Sequence, residues 1–452
     1  MKRVFSATEY KRALMALSPE ERQRIASAAA EAARAEAEER NASCVILLCC
    51  GGFIEELAAL TAKGLEAIGL ITKTACLGRD DMPTLEGTIV CDFLLFADGT
   101  AQKARWVEAL QKSSCPIISM GIPAGVDPDT GAASTVVVQA VTTIAPLGYL
   151  KGLFFQDGLD HCGRIRFVGP EAKGEGVARF EAEDAVRLLP PRKRTAHKGD
   201  SGKALLCVGS PKYVGAALLS ARACLAAGCG ILYVACPREP REALYGIPEA
   251  IGISVGEDWD GEGCQRAIDA LSGKQAVGIG CGVGDGDISP LLEAALEKKL
   301  PTVLDADGLN HLSRHRELYG LLHEKVVLTP HPGEMGRLLG ASSKDVLEDP
   351  LETAKNFSAK WGCVVLLKGA ATVVSDGKQT RIVAEGNAGL GKGGSGDVLT
   401  GIITALLAQG IKPFDGACLG SFLLGTSADR AFALLKERML RATNVIEALE
   451  RI

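Results

Sequence analysis

The sequence has no large excess of charge of either sign, no long apolar run, no short-period repeat and no low-complexity tract. Its 50 basic residues against 55 acidic ones leave a net charge of −5, so the basic footprint of a nucleic-acid binder is missing. No nucleic-acid partner is expected, and acidic small molecules have to be held by local features. No stretch approaches the roughly 18 to 20 apolar residues that span a bilayer. The start, Met1-Lys2-Arg3-Val4-Phe5-Ser6, leads into charged helix rather than an apolar signal core. A cytoplasmic protein without membrane contact is expected. Cysteine is not scarce, at 15 residues, but these are scattered along an apolar chain, and Cys49-Cys50 has no metal-ligand spacing around it. Reduced, mostly buried thiols are therefore expected in place of a disulfide framework.

At 452 residues the chain is too long for one ordinary core, and a prior of about 150 residues per domain gives two or three, with two taken as the expectation. Residues 7–41 are dense in Ala, Glu and Arg without Gly, and Ser18-Pro19-Glu20-Glu21 sets a capping side chain ahead of a first-turn proline. This reads as surface helices. The apolar run Cys44-Val45-Ile46-Leu47-Leu48-Cys49 ends in Gly51-Gly52, before a helical pattern through Leu57, Leu60, Leu65 and Ile68. Further apolar runs at 93–96 and 117–120, with helical spacers, argue for βαβ units around a parallel sheet. The composition then turns charged at Leu188-Leu189-Pro190-Pro191-Arg192-Lys193-Arg194, ahead of a strand at 204–208. The domain boundary is placed near residue 175, giving domains 1–175 and 176–452. The second half repeats the alternation, with strands around Leu205, 231–235, 276–279, 302–304, 326–328 and 364–367. Both halves are α/β.

The chemical signal is concentrated in Asn387-Ala388-Gly389-Leu390-Gly391-Lys392-Gly393-Gly394-Ser395-Gly396-Asp397-Val398-Leu399-Thr400-Gly401, which runs into the apolar Ile402-Ile403-Thr404-Ala405-Leu406-Leu407. Glycines let backbone approach a phosphate closely, and a helix start supplies unpaired N–H groups and the positive end of the macrodipole. Asp397 sits where a carboxylate could take a proton from a hydroxyl while the loop holds a transferring phosphoryl group. Taken alone, the segment is equally a glycine-rich turn with Asp397 as a first-turn carboxylate stabilising the dipole.

Gly393-Gly394-Ser395-Gly396-Asp397 before a helix resembles the anion hole and catalytic base of ribokinase-like proteins. Val303-Leu304-Asp305-Ala306-Asp307-Gly308-Leu309-Asn310, Leu328-Thr329-Pro330-His331-Pro332-Gly333-Glu334-Met335 and Leu367-Lys368-Gly369-Ala370-Ala371-Thr372 occur upstream in that order and resemble the NAD(P)H-hydrate dehydratase branch. The entry segment His197-Lys198-Gly199-Asp200-Ser201-Gly202-Lys203, followed by Gly215-Ala216-Ala217, does so too, and the resemblance covers about residues 180–450.

It implies a reaction in which ADP or ATP phosphorylates the ring hydroxyl of the S form of hydrated NADH or NADPH, and loss of phosphate restores the nicotinamide. Asp397 would be the base, and Gly393, Gly394, Ser395 and Gly396 the anion hole. Lys368, Gly369, Ala370, Ala371, Thr372 and Gly396 would line the adenine nucleotide. Ala216, Gly284 in Gly280-Cys281-Gly282-Val283-Gly284, His331 and Asp397 would contact the hydrated dinucleotide. The resemblance implies ADP or ATP as co-substrate, ADP being preferred in the bacterial branch, and Mg2+ from the nucleotide chemistry rather than from a ligand motif. A homo-oligomer is expected.

Each position also has a plainer reading. His331, between Thr-Pro and Pro-Gly, can be a turn histidine bonded to backbone, and Lys368 a solvated strand-end lysine. Asp305 and Asp307 either meet metal-associated phosphate or cap a helix, and Glu334 is equally open. Lys392 either adds charge near the phosphates or points outward. A vitamin-precursor kinase of the same superfamily is the alternative function. A non-catalytic nucleotide sensor is disfavoured by the intact Asp397 and glycine loop.

The N-terminal half resembles the Rossmann-like NAD(P)H-hydrate epimerase domain, through Ile122-Pro123-Ala124-Gly125-Val126-Asp127-Pro128-Asp129-Thr130-Gly131. That family has an Asp before the Ile-Pro and a Ser after it, where this chain has Gly121 and Ala124. Its polar glycine loop is replaced by Cys50-Gly51-Gly52-Phe53-Ile54-Glu55-Glu56, which lacks side chains to hold substrate and a monovalent cation. The half is expected to keep the fold with little or no epimerase activity, although Lys151 and Asp127 remain.

Overall fold

The computed structural model describes residues 2–95, 101–168, 176–189, 194–195, 197–435 and 437–452. The chain divides into two compact units, Met1–Ala178 and Arg179–Ile452. The boundary expected at residue 175 lies outside the described residues.

In the first unit, Ala7–Met15 and Pro19–Arg40 are separate helices, each opened by a serine (Ser6, Ser18) in a capping box with Glu9 or Glu21. Six strands form a sheet in the order Ile71–Cys76, Cys44–Cys49, Thr88–Phe93, Ile117–Met120, Thr142–Pro146, Arg164–Val168, with every pair parallel. The strand order reverses at Cys44–Cys49, the switch point beside which open α/β sheets bind ligands. Cys50-Gly51 leaves that strand and feeds the helix Gly52–Glu66. The run expected as a strand at 93–96 instead begins at the end of Thr88–Phe93; Leu94 and Leu95 lie beyond it, and Phe96 is outside the described residues.

The second unit is built on a ten-stranded sheet. Ala250–Ser254, Ile231–Cys236, Lys203–Cys207, Ala276–Ile279, Thr302–Leu304, Val326–Leu328 and Val364–Leu367 lie side by side and parallel. Thr372–Ser375 and Thr380–Val383 continue the sheet antiparallel, and Val177–Arg179, at the division itself, is the last strand. The central strands are short apolar runs, the pattern of a sheet covered on both faces.

The helix Ser395–Ala408 is buried without a break from Val398 to Ala408. Glycines bring it close to its neighbours. A Cβ on Gly401 would lie 2.3 Å from the Ser220 carbonyl oxygen of the helix Val214–Ala226, and one on Gly278 would lie 2.5 Å from Thr404 Oγ1. Each fully buried Leu or Ile on this helix contributes roughly 1.5–3 kcal/mol, so its first turn is held in place by the core of the unit. All fifteen cysteines are free and none is exposed. Among the described residues no helix is long and apolar enough to cross a membrane.

Candidate active site

Three strand ends and the helix start at Ser395 converge. Gly394 precedes the helix in the left-handed region, φ 99°, and no side chain caps the start. The first N–H groups of a helix have no partner within it, and Gly393 faces open space. Asp397 lies in this first turn, half-buried. Burial and the neighbouring Asp305 carboxylate push its carboxyl up to about 6, against the pull of Cys281 and Lys368.

Asp305 follows the strand Thr302–Leu304 and is 2% exposed. Its Oδ1 accepts a 2.7 Å bond from Lys368 Nζ and its Oδ2 a 3.1 Å bond from Thr400 Oγ1. Burial opposes its charge, but the Lys368 ammonium prevails and holds the carboxyl below its ordinary value. Ala306, next in the chain, has φ 47°, a strained conformation for a residue with a Cβ. The crowding has a cause, because Gly280 presses on this turn: a Cβ there would sit 2.1 Å from the Asp305 carbonyl oxygen.

Lys368 ends the strand Val364–Leu367, and its Nζ also lies 3.7 Å from Glu334 Oε2. Burial opposes the ammonium, yet Asp305 and Glu334 raise its affinity for the proton. Gly396 belongs to the same cluster, since a Cβ there would lie 3.0 Å from Asp305 Oδ2 and 3.6 Å from Lys368 Nζ. Any larger residue would break into the ion pair. Gly369 and Ala370 are exposed in the turn after Lys368, Ala371 is buried, and Thr372 opens the next strand.

His331 takes the turn role. Its Nδ1 accepts the Gly333 N–H at 3.0 Å, capping the helix Pro332–Leu339, and its own N–H goes to Glu334 Oε2 at 2.8 Å. With Nδ1 accepting, the proton sits on Nε2, which lies 3.5 Å from Glu334 Oε1. His331 therefore joins the centre through Glu334, a buried carboxylate that touches both it and Lys368. Lys392 turns aside to the carbonyls of Arg438 (2.6 Å) and Leu440 (2.8 Å).

Beside the centre lies a cleft of about 460 Å³ whose lining includes Ser210, Tyr213, Asp258, Gly284, Asp307 and Asn310. Gly284 donates its N–H to Asp307 Oδ2 at 2.8 Å. Ala216 backs the same glycine turn, its Cβ 2.7 Å from where a Gly282 Cβ would fall. Asp307 opens the helix Asp307–Arg314 and also takes a bond from Asn310 at 3.1 Å.

Sequence reasoning missed Thr400, although it lies three residues beyond Asp397 and hence on the same helix face. It also missed Ser210, Tyr213 and Asp258, which no local motif ties to the loop.

A glycine-rich helix start facing a buried lysine–aspartate pair, at the carboxyl ends of a mainly parallel sheet, defines a ribokinase-like α/β protein. Its relatives narrow the class. A family model described as NAD(P)H-hydrate dehydratase matches residues 204–451. The bifunctional NAD(P)H-hydrate repair enzyme Nnr of Moorella thermoacetica is 33% identical over 394 residues, covering 82% of this chain and 74% of that one. Its Vibrio cholerae counterpart is 32% identical over 355 residues, covering 76% and 70%. The solved ADP/ATP-dependent NAD(P)H-hydrate dehydratase of Bacillus subtilis, co-crystallized with ATP/Mg2+, is 27% identical, with a TM-score of 0.54 over 62% of this chain and 98% of that one. The chain belongs to the NAD(P)H-hydrate dehydratase family.

Proposed function

We propose that the second unit uses ADP or ATP to dehydrate the S form of hydrated NADH and NADPH, returning NAD(P)H with release of phosphate and AMP or ADP. The observation that carries this reading is Asp397, a carboxylate of raised proton affinity in the first turn of an uncapped, glycine-led helix. The helix start holds the phosphoryl group. The Asp397 carboxylate accepts the hydroxyl proton as the oxygen attacks phosphorus; phosphate then leaves with the C–O electron pair while the adjacent ring carbon loses a proton to solvent, which restores the ring double bond. Gly396 and the turn Lys368-Gly369-Ala370-Ala371-Thr372 line the nucleotide. Ala216, Gly284 and His331 face the dinucleotide, with the cleft beside Asp307 receiving it. Magnesium would enter on the nucleotide phosphates and offset their charge; Asp305, Glu334 and Asp397 are oxygen donors of the class it takes.

The test supplies S-hydrated NADH with ADP or ATP and follows the return of NADH absorbance together with free phosphate. Nucleotide-dependent recovery with one phosphate per NADH is expected. A stable phosphorylated product without NADH would assign the chain to the small-molecule kinases instead. The acid limb of the rate profile is a second readout. A base must be ionised to act, and kcat/KM reports the free enzyme, so kcat/KM measured between pH 5 and 8 is expected to halve near pH 6, to which burial and the Asp305 carboxylate push the Asp397 carboxyl.

The first unit, in our reading, keeps the epimerase fold without its chemistry. Gly121 stands where the related family carries an acid; it has φ 80°, and a Cβ there would lie 2.7 Å from Leu95 Cδ2. Ala124 offers no hydroxyl, and its N–H is taken by the buried Asp92 at 2.9 Å. Asp127 is spent on its own turn, accepting from Thr130 N at 2.7 Å and Oγ1 at 2.8 Å. Loss of an acid/base carboxylate forfeits about 10²- to 10⁴-fold in rate. With mixed R- and S-hydrates, recovery is expected to stop once the S form is consumed, after subtraction of spontaneous epimerisation. Rapid recovery through the R form would show an active epimerase.

A further inference from the structure

Away from the reacting centre, Asp287, His311 and His315 each place one potential ligand atom within 4.8 Å of the others. We propose that these three residues bind a divalent transition-metal ion, zinc being the best fit. His311 and His315 are one helical turn apart at the end of Asp307–Arg314, so both side chains leave the same face. Asp287 comes from the loop before the helix Ser289–Glu297, where the Ser289 N–H (3.0 Å) and hydroxyl (2.6 Å) fix its Oδ1.

The observation that asks for a ligand is His311. Its side chain is 5% exposed, and neither ring nitrogen has a hydrogen-bond partner. Buried polar groups are nearly always satisfied, and one left unmade costs about 1–3 kcal/mol. Its Nδ1 lies 3.8 Å from Asp287 Oδ1, too long for a hydrogen bond. Two donors about 2.0–2.1 Å from a tetrahedral zinc stand ~3.3 Å apart, so the pair is about 0.5 Å wider than an ion between them requires, a difference that a small side-chain rotation closes.

His315 carries the supporting contact usual for a ligating imidazole. Its Nδ1 is 3.0 Å from Glu317 Oε1, a pairing that fixes the ring and makes Nε2 the better donor. Two imidazoles and a carboxylate favour zinc, cobalt or nickel over magnesium or calcium, which take oxygen. Three protein ligands leave a fourth position for water or a bound molecule. His311 also lines the cleft beside Asp307, so the ion would stand at the margin of the space assigned to the dinucleotide. The site uses none of the residues assigned to phosphoryl transfer, and it stands whether or not the dehydratase reading does.

The test uses the full chain, stripped by chelation and desalted, and titrates it with Co2+ while recording visible absorption. One Co2+ per chain is expected, with ligand-field bands that one equivalent of Zn2+ abolishes. His315→Gln, on a partly exposed side chain that carries no core, is expected to weaken binding at least about 100-fold, and Glu317→Gln about 10-fold. His311→Gln is expected to behave as His315→Gln does, with circular dichroism confirming that it folds. Absence of stoichiometric binding by the wild-type chain, or equal affinity in wild type and His315→Gln, would overturn the proposal.

Discussion

Asp397→Asn is expected to lower kcat for nucleotide-dependent dehydration by about 10²- to 10⁴-fold, the usual worth of a positioned proton acceptor, and at the same time to make the protein more stable. The amide matches the carboxylate in shape, so the uncapped helix start and the adjoining Lys368–Asp305 pair keep their geometry. The stability gain follows from proton linkage. Burial raises the folded carboxyl from its ordinary 3.8 to about 6, so between those values the native state binds more protons than the unfolded chain, and wild-type stability falls as pH rises. Each factor of ten is about 1.4 kcal/mol, which bounds the cost of the charge at about 3 kcal/mol; partial exposure reduces it to about 1–2 kcal/mol. Denaturation at a series of pH values should therefore show the variant ahead by that amount above pH 6, with the advantage fading toward pH 4. Unchanged activity in a folded Asp397→Asn protein would remove Asp397 as the base.

Lys368→Met is expected to be the most destabilising single change at the site. Asp305 is almost wholly buried, and Lys368 is the cation paired with it. Removing one partner of a buried pair costs about 3–5 kcal/mol, because the remaining charge is left uncompensated. Adding Asp305→Asn should return most of that loss in a denaturant titration, since an amide needs no counter-ion. Activity should respond differently. The Lys368 ammonium is one of the groups that lowers the proton affinity of Asp397, so any residual rate in Lys368→Met should have its acid limb moved above pH 6. Equal stability of wild type and Lys368→Met would mean that the pair contributes little.

The parts of the site that sequence reveals are those encoded by consecutive residues. The glycine loop, its carboxylate and the helix behind it form one continuous segment, and the strands at 276–279, 302–304, 326–328 and 364–367 are short apolar runs bounded by polar turns. What the sequence hides is assembled at a distance. Thr400 meets Asp305 across 95 positions and Lys368 meets it across 63, and no local periodicity encodes such a meeting. Strand Ile71–Cys76 escaped notice because its residues Thr72, Lys73 and Thr74 interrupt the apolar pattern at the sheet edge. The 93–96 run misled for the opposite reason: Leu94 and Leu95 are buried past the strand end, so hydrophobicity outlasts the ladder. His331 shows a third limit, since a capping histidine and a ligand-binding histidine are written with the same letters around it.

The buried helix Ser395–Ala408 has a consequence for how this protein can lose function. Ligand-binding loops are drawn from the segments that loosen before the rest of a molecule. The helix start proposed here to hold phosphate is instead the tip of a helix buried from Val398 to Ala408 and pinned by Gly401 and Gly278 against a helix and a strand. Loosening it is therefore expected to require disturbing the packed interior behind it.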